Sequence, residues 1–200
     1  MNRQEMDFWE KLKRWHLDDI DKCLVVNANY AATKTMLSLV DALGALYGGL
    51  IEHKGKYYVL VGDGSRSKAT IKLYRKQYEE SGTKKQFLNF TKNYLNEFFQ
   101  YKTKVKSREI LLADILYDHF RCGLIHEGHP KFGTGICREN NFNFFILNSG
   151  GVKIALNILA LRDMLRRAVF TYEKDLFDKT QPERMKRWKE RFKYLSKLRI

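Results

Sequence analysis

Proline is nearly absent: only Pro130 and Pro182 occur in 200 residues. Long stretches are therefore free of the residue that most often breaks helices. Long apolar runs are lacking too. The longest, Leu39 to Ile51, holds three glycines and an aspartate and is too short for a membrane span. No membrane association is expected. The opening MNRQEMDFWEKLKRW is charged and has no signal-peptide core, so a cytoplasmic location is expected. Cysteine is scarce and unpatterned. Cys23, Cys122 and Cys137 are an odd set, which argues against a disulfide framework and suits a reducing compartment. Neither G-x-x-x-x-G-K-[ST] nor G-x-G-x-x-G occurs. The GDGS of Gly62 to Ser65 therefore reads as turn chemistry rather than a phosphate cradle. Acidic residues are short as well, 23 against 37 lysines and arginines, for a net charge of +14. Such an excess attracts polyanions through long-range fields and counterion release, and it points to nucleic acid.

Apolar residues make up 44% and aromatics 14% of the chain, enough to fold rather than stay disordered. The length suits one domain, residues 1–200. Helical spacing of Phe8, Trp9, Leu12, Trp15, Leu17 and Ile20 predicts an amphipathic helix from Glu5 to about Leu24. A second is expected from Tyr30 to Ile51, where Gly44, Gly48 and Gly49 would let another helix approach closely. Lys56 to Val61 reads as a short strand. Helices are expected over Lys68 to Glu80 and Lys85 to Phe99, and Ser107 resembles the cap of a further one. Two or three strands near residues 134–156 read as a small β-meander, with turns at Glu139 to Asn141 and Asn148 to Gly151. A long helix from Asn157 to Phe177 should bury Leu161, Leu165, Val169 and Tyr172. Pro182 suits the first turn of a last helix, about 182–198, whose Met185, Trp188, Phe192 and Leu195 dock on the body. Its Arg184, Lys186, Arg187, Lys189 and Arg191 are candidate phosphate contacts. The fold class is mainly α: a bundle of about six to seven helices with a small β-meander inserted near residues 134–156.

The chemistry concentrates in FRCGLIHEGHP, Phe120 to Pro130. It follows Leu112, Leu116, Phe120 and Leu124, an apolar ridge repeating every four residues. Asp114, Asp118 and Arg121 form a polar stripe on another face, whose plainest role is a salt-bridged surface. On an ideal α-helix a five-residue step rotates by about 140°, so Arg121 and His126 would point apart. They converge if the helix ends or bends after Cys122, as Gly123 and Gly128 permit, or if a second subunit supplies one of them. Either way an imidazole and a guanidinium would share one anionic site. Cys122, His126 and His129, with His119, are conceivable zinc ligands, but C-x3-H-x2-H matches no established zinc spacing. Neither a metal nor a cofactor is expected. Tyr57, Tyr58, Phe142, Phe144 and Phe145 could stack bases, but their strand spacing favours a core role.

YDHFRCGLIHEG resembles the R-x4–6-H signature of the HEPN domains (higher eukaryotes and prokaryotes nucleotide-binding). The resemblance is concentrated in Ile110 to Gly128. GTGI to YEKDLF also looks like the tail of bacterial members. It implies a HEPN-like helical bundle, a homodimer with two motifs facing one cleft, and metal-independent endoribonuclease activity in toxin–antitoxin or antiviral defence systems. RNA would be the substrate, and an antitoxin or a nucleotidyltransferase-like protein a possible partner. Arg121 would then clamp the transition state and His126 would move protons. Asp118 would orient Arg121 through an i,i+3 contact, with Glu127 and His129 as helpers. The position after the motif arginine is often Asn, Asp or His; here it is Cys122, which removes a polar group from beside the arginine. The alternatives are a non-catalytic HEPN-type module binding RNA, nucleotide or a protein partner, and a helical scaffold whose charge serves assembly.

Overall fold

A computed structural model describes all residues except 62–69, 74–75, 106–107, 132, 141–144, 150–151 and 198–200. The expected mainly-α architecture is observed, with seven helices and three small sheets among the described residues. Helix α1 (Arg3–Val25) opens with a reciprocal cap, Asn2 Oδ1 accepting from Glu5 N and Glu5 Oε2 from Asn2 N. Helix α2 (Asn29–Gly48) ends on Gly49, which is left-handed at φ 64°. The buried side of α1 carries Trp9, Ile20 and Leu24, whereas Trp15 is 53% exposed and lies outside the expected apolar face.

Strands β1 (Ile51–His53) and β2 (Lys56–Leu60) follow, and then β3 (Thr70–Leu73) and β4 (Lys76–Glu80). They form an antiparallel sheet in the order β1-β2-β4-β3. The helix expected over Lys68 to Glu80 is therefore replaced by two strands. Pairing decides this: Leu60 faces Tyr78 across the ladder, and Tyr78 is fully buried beside Tyr58, Leu60 and Ile51. The GDGS segment lies outside the described residues.

Helix α3 (Thr83–Tyr94) and the short α4 (Glu97–Gln100) divide the single helix expected over Lys85 to Phe99. A hairpin of β5 (Lys102–Val105) and β6 (Arg108–Leu111) precedes the helix bearing the motif. Ser107 is outside the described residues, and that helix begins only at Leu112, beyond β6. Later come β7 (Thr134–Cys137), β8 (Phe145–Ser149) and β9 (Val152–Asn157). Their order is β7-β9-β8, with β7 and β9 parallel. The strands stand where expected, but a parallel crossover replaces the meander. Asn141 of the expected first turn, and Gly150–Gly151 of the second, lie outside the described residues, as do Phe142 and Phe144.

Helix α6 (Ile158–Phe177) is capped by Asn157 and buries Leu161, Leu165, Val169 and Tyr172, as expected. Helix α7 (Pro182–Lys197) buries Trp188, with Met185 and Phe192 packed against the same apolar cluster. Its other side meets the first sheet: Tyr194 packs on Tyr78's cluster, and Tyr78 donates to Glu190 Oε1 at 2.6 Å. Thus α7 lies between the bundle and the sheet.

The small residues of α2 set the spacing of the bundle. A Cβ on Gly44 would stand 2.8 Å from Gln86 O of α3, and one on Gly49 would stand 2.9 Å from Arg187 O of α7. Gly44→Ala should cost about 1–3 kcal/mol, because backbone must retreat before the methyl fits. Urea denaturation of the two proteins measures it, and an unchanged midpoint would show that α2 and α3 separate freely.

Candidate functional site

Helix α5 begins as an ordinary α-helix over Leu112–Ile115. Its winding then widens into π-type turns over Leu116–Arg121 and Gly123–Glu127. The N–H of Cys122 donates to Tyr117 O, five residues back. A pair five apart in such a turn stands much as a pair four apart does in an α-helix. Arg121 and His126 are therefore on one face of one helix, and Arg121 Nη1 lies 3.3 Å from His126 Nε2. Neither a bend after Cys122 nor a second chain is needed to bring them together.

Two features accompany the wide winding. The ridge of Leu112, Leu116, Phe120 and Leu124 is wholly buried. An exact repeat of four drifts by about 40° per step on an α-helix and by a similar angle in the opposite sense on a wider one, so a helix that passes from one winding to the other keeps the ridge on one side. The chain also returns over the helix after Gly128, which is left-handed at φ 79°. Lys131 N donates to His119 O at 3.1 Å, and a Cβ on Gly123 would stand 2.6 Å from His129 O. Gly123 is thus needed for close approach, and Gly128 for the helix end.

Sequence reasoning missed Asp41. It projects from α2, and Arg121 Nε donates to its Oδ2 at 2.7 Å. Both side chains are largely covered, 16% exposed for Arg121 and 22% for Asp41. Burial raises the Asp41 pKa, and the hydrogen bond and charge of Arg121, with His126, only partly oppose that. Burial weakens the Arg121 guanidinium, but the bond and charge of Asp41 outweigh it and the pKa is raised. The ring of Tyr117 lies 5.2 Å beneath the guanidinium, a cation–π contact. Arg121 is held from behind by a carboxylate and from below by a ring, while His126 is exposed. In this contact Nε2 must accept, because guanidinium nitrogens only donate.

Asp118 does not orient Arg121. It pairs with Lys84 of α3 at 2.6 Å, and Asp114 meets the same ammonium at 3.3 Å. In the wide turn a three-residue step falls well short of a full circuit, so Asp118 and Arg121 diverge. The acidic stripe ties α5 to α3 instead. Cys122 is half-buried, with its thiol near the Arg121 guanidinium. Glu127 is exposed. His129 is exposed too, with Nδ1 2.8 Å from Pro130 O. His119 has a buried Nδ1 with no hydrogen-bond partner among the described residues, and burial, then Lys131, lowers its pKa. Among the described residues no three His, Cys, Asp or Glu side chains stand close enough together to hold a metal ion, so His119, Cys122, His126 and His129 do not form a zinc site.

The basic residues of α7 do not form one free row. Arg184 pairs with Asp175 and lies over the Tyr94 ring, and Lys186 pairs with Glu183 at 3.4 Å. Lys189 lies 3.8 Å from Glu5, and the Arg187 backbone crosses Gly49. Arg191 turns inward, donating from Nη1 to Leu50 O at 2.8 Å.

No family model, no curated protein and no solved structure matches the chain. Among the described residues, no helix is long and apolar enough to cross a membrane.

Two predictions follow from this geometry. The Asp41 carboxyl has a folded-state pKa above its ordinary value of 3.8. It therefore favours the folded chain while protonated, and that contribution is lost as pH rises through the folded value. Measured against Asp41→Asn in urea, the parent should lose relative stability across that rise; a pH-independent difference would contradict a desolvated carboxyl. Gly123→Ala should lower the thermal midpoint, despite alanine's better helix propensity, because its methyl meets the backbone of the returning chain. A raised midpoint would show that the returning segment is not packed there.

Proposed function

We propose that the chain is a HEPN-type, metal-independent endoribonuclease that works as a homodimer, a toxin or defence effector of the cytoplasm. The observation carrying this reading is the contact of Arg121 with an exposed His126, with Asp41 behind the arginine. Arginine is suited to phosphoryl oxygens, because its fork donates several hydrogen bonds and stays charged. Histidine is suited to proton transfer, because its unperturbed pKa lies near neutrality. A net charge of +14 supplies attraction for RNA.

The reaction balances with these groups and the RNA alone. His126 takes the proton of a 2′-hydroxyl through Nε2, and O2′ forms a bond to phosphorus. Arg121 keeps Nε on Asp41 and shifts the hydrogen bond of Nη1 from His126 onto a non-bridging oxygen, where charge accumulates. The bond from phosphorus to O5′ breaks, and O5′ receives a proton. In a homodimer with two motifs facing one cleft, the partner's copy of His126 serves as that acid. The products are a 2′,3′-cyclic phosphate and a 5′-hydroxyl. Asp41 keeps the arginine ionised and aimed, and Cys122 leaves the outer side of the guanidinium without a competing carboxylate or amide.

The protein should cut RNA in EDTA, leave 2′,3′-cyclic phosphate ends, and spare a strand with a 2′-deoxy residue at the cleavage position. Arg121→Ala and His126→Ala should each slow cleavage by about 10²-fold or more. Cleavage at the parental rate by either variant would refute the assignment. Salt-dependent RNA binding without cleavage would instead favour a non-catalytic HEPN-type binding module.

A further inference from the structure

The inward turn of Arg191 leads to a second feature of the same region. A pocket of about 210 Å³ opens beside Arg121, lined by Asp41, Tyr57, Thr83, Gln86, Arg121 and Arg191, among others. It gathers side chains from α2, β2, α3, α5 and α7. Its polar groups are unequally committed. Thr83 Oγ1 is 3.2 Å from the Tyr117 hydroxyl, Gln86 Nε2 donates to Ser81 Oγ, and Asp41 is held by Arg121. Arg191 has no carboxylate within ion-pairing distance among the described residues; its hydrogen bond is to the Leu50 carbonyl. The groups that face it electrostatically are Tyr194, Tyr57 and Glu52, and together they do not offset the burial of its charge, so its pKa is lowered. A desolvated guanidinium without a carboxylate gains from any anion that enters. Arg121 spends N–H groups on Asp41 and His126 but has five, so part of its fork is left for the same anion. Two arginines against one carboxylate leave the pocket cationic.

Size and edge narrow the ligand. The space is large enough for a phosphate with its ester oxygens. At the rim Tyr57 is 40% exposed, a ring face open to a base. We infer that this pocket is a phosphate subsite, in which Arg121 and Arg191 grip one nucleotide phosphodiester while its base lies against Tyr57. The inference rests on the ribonuclease reading for the direction of the strand: the phosphate held here neighbours the scissile one, with Arg121 between the two, its Nη1 side toward the scissile phosphate beside His126 and the rest of its fork toward the pocket. Arg191 is then a binding residue, recruited from the basic helix by the sheet that presses α7 onto the bundle.

The test uses the full chain and two probes, a 2′-O-methyl RNA hexamer that cannot be cleaved and a nucleoside 3′-monophosphate. Binding is followed by calorimetry across a salt series. Arg191→Gln should weaken the hexamer at least tenfold, and its slope of log affinity against log salt should fall by about 0.7, the loss of one phosphate contact on a single strand. Arg191→Lys should retain part of the affinity, and Tyr57→Leu should cost about fivefold or more. If Arg191→Gln lowers the melting temperature, the lysine and Tyr57 variants still decide, because neither removes the cation. The monophosphate binding as tightly as the hexamer would identify a free nucleotide as the ligand and overturn a strand subsite. Unchanged affinity and slope in Arg191→Gln would overturn the subsite, and cleavage of RNA with an unmoved KM in that variant would do so while leaving the ribonuclease standing. Hexamer binding that depends on Arg191 in a protein that never cuts RNA would overturn the ribonuclease and retain the pocket.

Discussion

The hydrogen bond from Arg121 Nε to Asp41 is the constraint on which the site depends. It joins α5 to α2 across a largely covered contact, and it fixes one edge of the guanidinium so that other N–H groups stay available. An arginine with its full side-chain entropy would be a poor clamp, because each hydrogen bond to a phosphate would first have to immobilise it. Here the immobilisation is accomplished by folding. The Tyr117 ring below and the Asp41 carboxylate behind leave the fork one accessible direction, toward His126 and the pocket beside it.

That arrangement needs α2 and α5 at the right separation, and the glycines of α2 set part of it. Gly44 and Gly48 admit α3, whose Lys84 gathers Asp114 and Asp118 and so braces α5 from another side. Gly49 admits the backbone of α7, and Tyr78, buried in the first sheet, reaches Glu190 from the opposite flank. Arg191 follows from this clamping: a helix held on two sides must turn some of its charges inward. The basic surplus of the chain is therefore unevenly expressed, with Arg184 neutralised against Asp175 and Arg191 directed into a cavity.

Much of this was legible in the sequence where local pattern and tertiary packing agreed. Helix α6 and its cap, the Trp188 stripe of α7, the close approach at the α2 glycines and the position of Arg121 and His126 near a helix end all follow from period, caps and glycine placement. The failures have specific causes. Lys68 to Glu80 has enough scattered apolar residues to pass for a helix, and only pairing with β2 makes it two strands. The β7-β9-β8 order depends on a crossover that no local signal encodes. Asp41 sits in an apolar helix eighty residues from Arg121, and nothing in its neighbourhood names its partner. The convergence of Arg121 and His126 is expected from the sequence, but through a helix end, a bend or a second chain, because local pattern announces only a rotation of 100° per residue; wider winding is the route that the structure takes. The i,i+3 contact expected between Asp118 and Arg121 fails for the same reason.

The wide winding of α5 makes spacing and pitch interchangeable. A turn holding five residues where an α-helix holds four is, in effect, a one-residue insertion absorbed without a bulge in the chain's path. Removing one residue between Arg121 and His126 and letting the turn tighten would return the two side chains to the same neighbourhood as an i,i+4 pair. Chains that build the same pair could therefore differ in the number of residues between arginine and histidine while keeping the distance between guanidinium and imidazole. For a site of this kind, the sequence separation is the adjustable quantity and the helical pitch is what compensates for it.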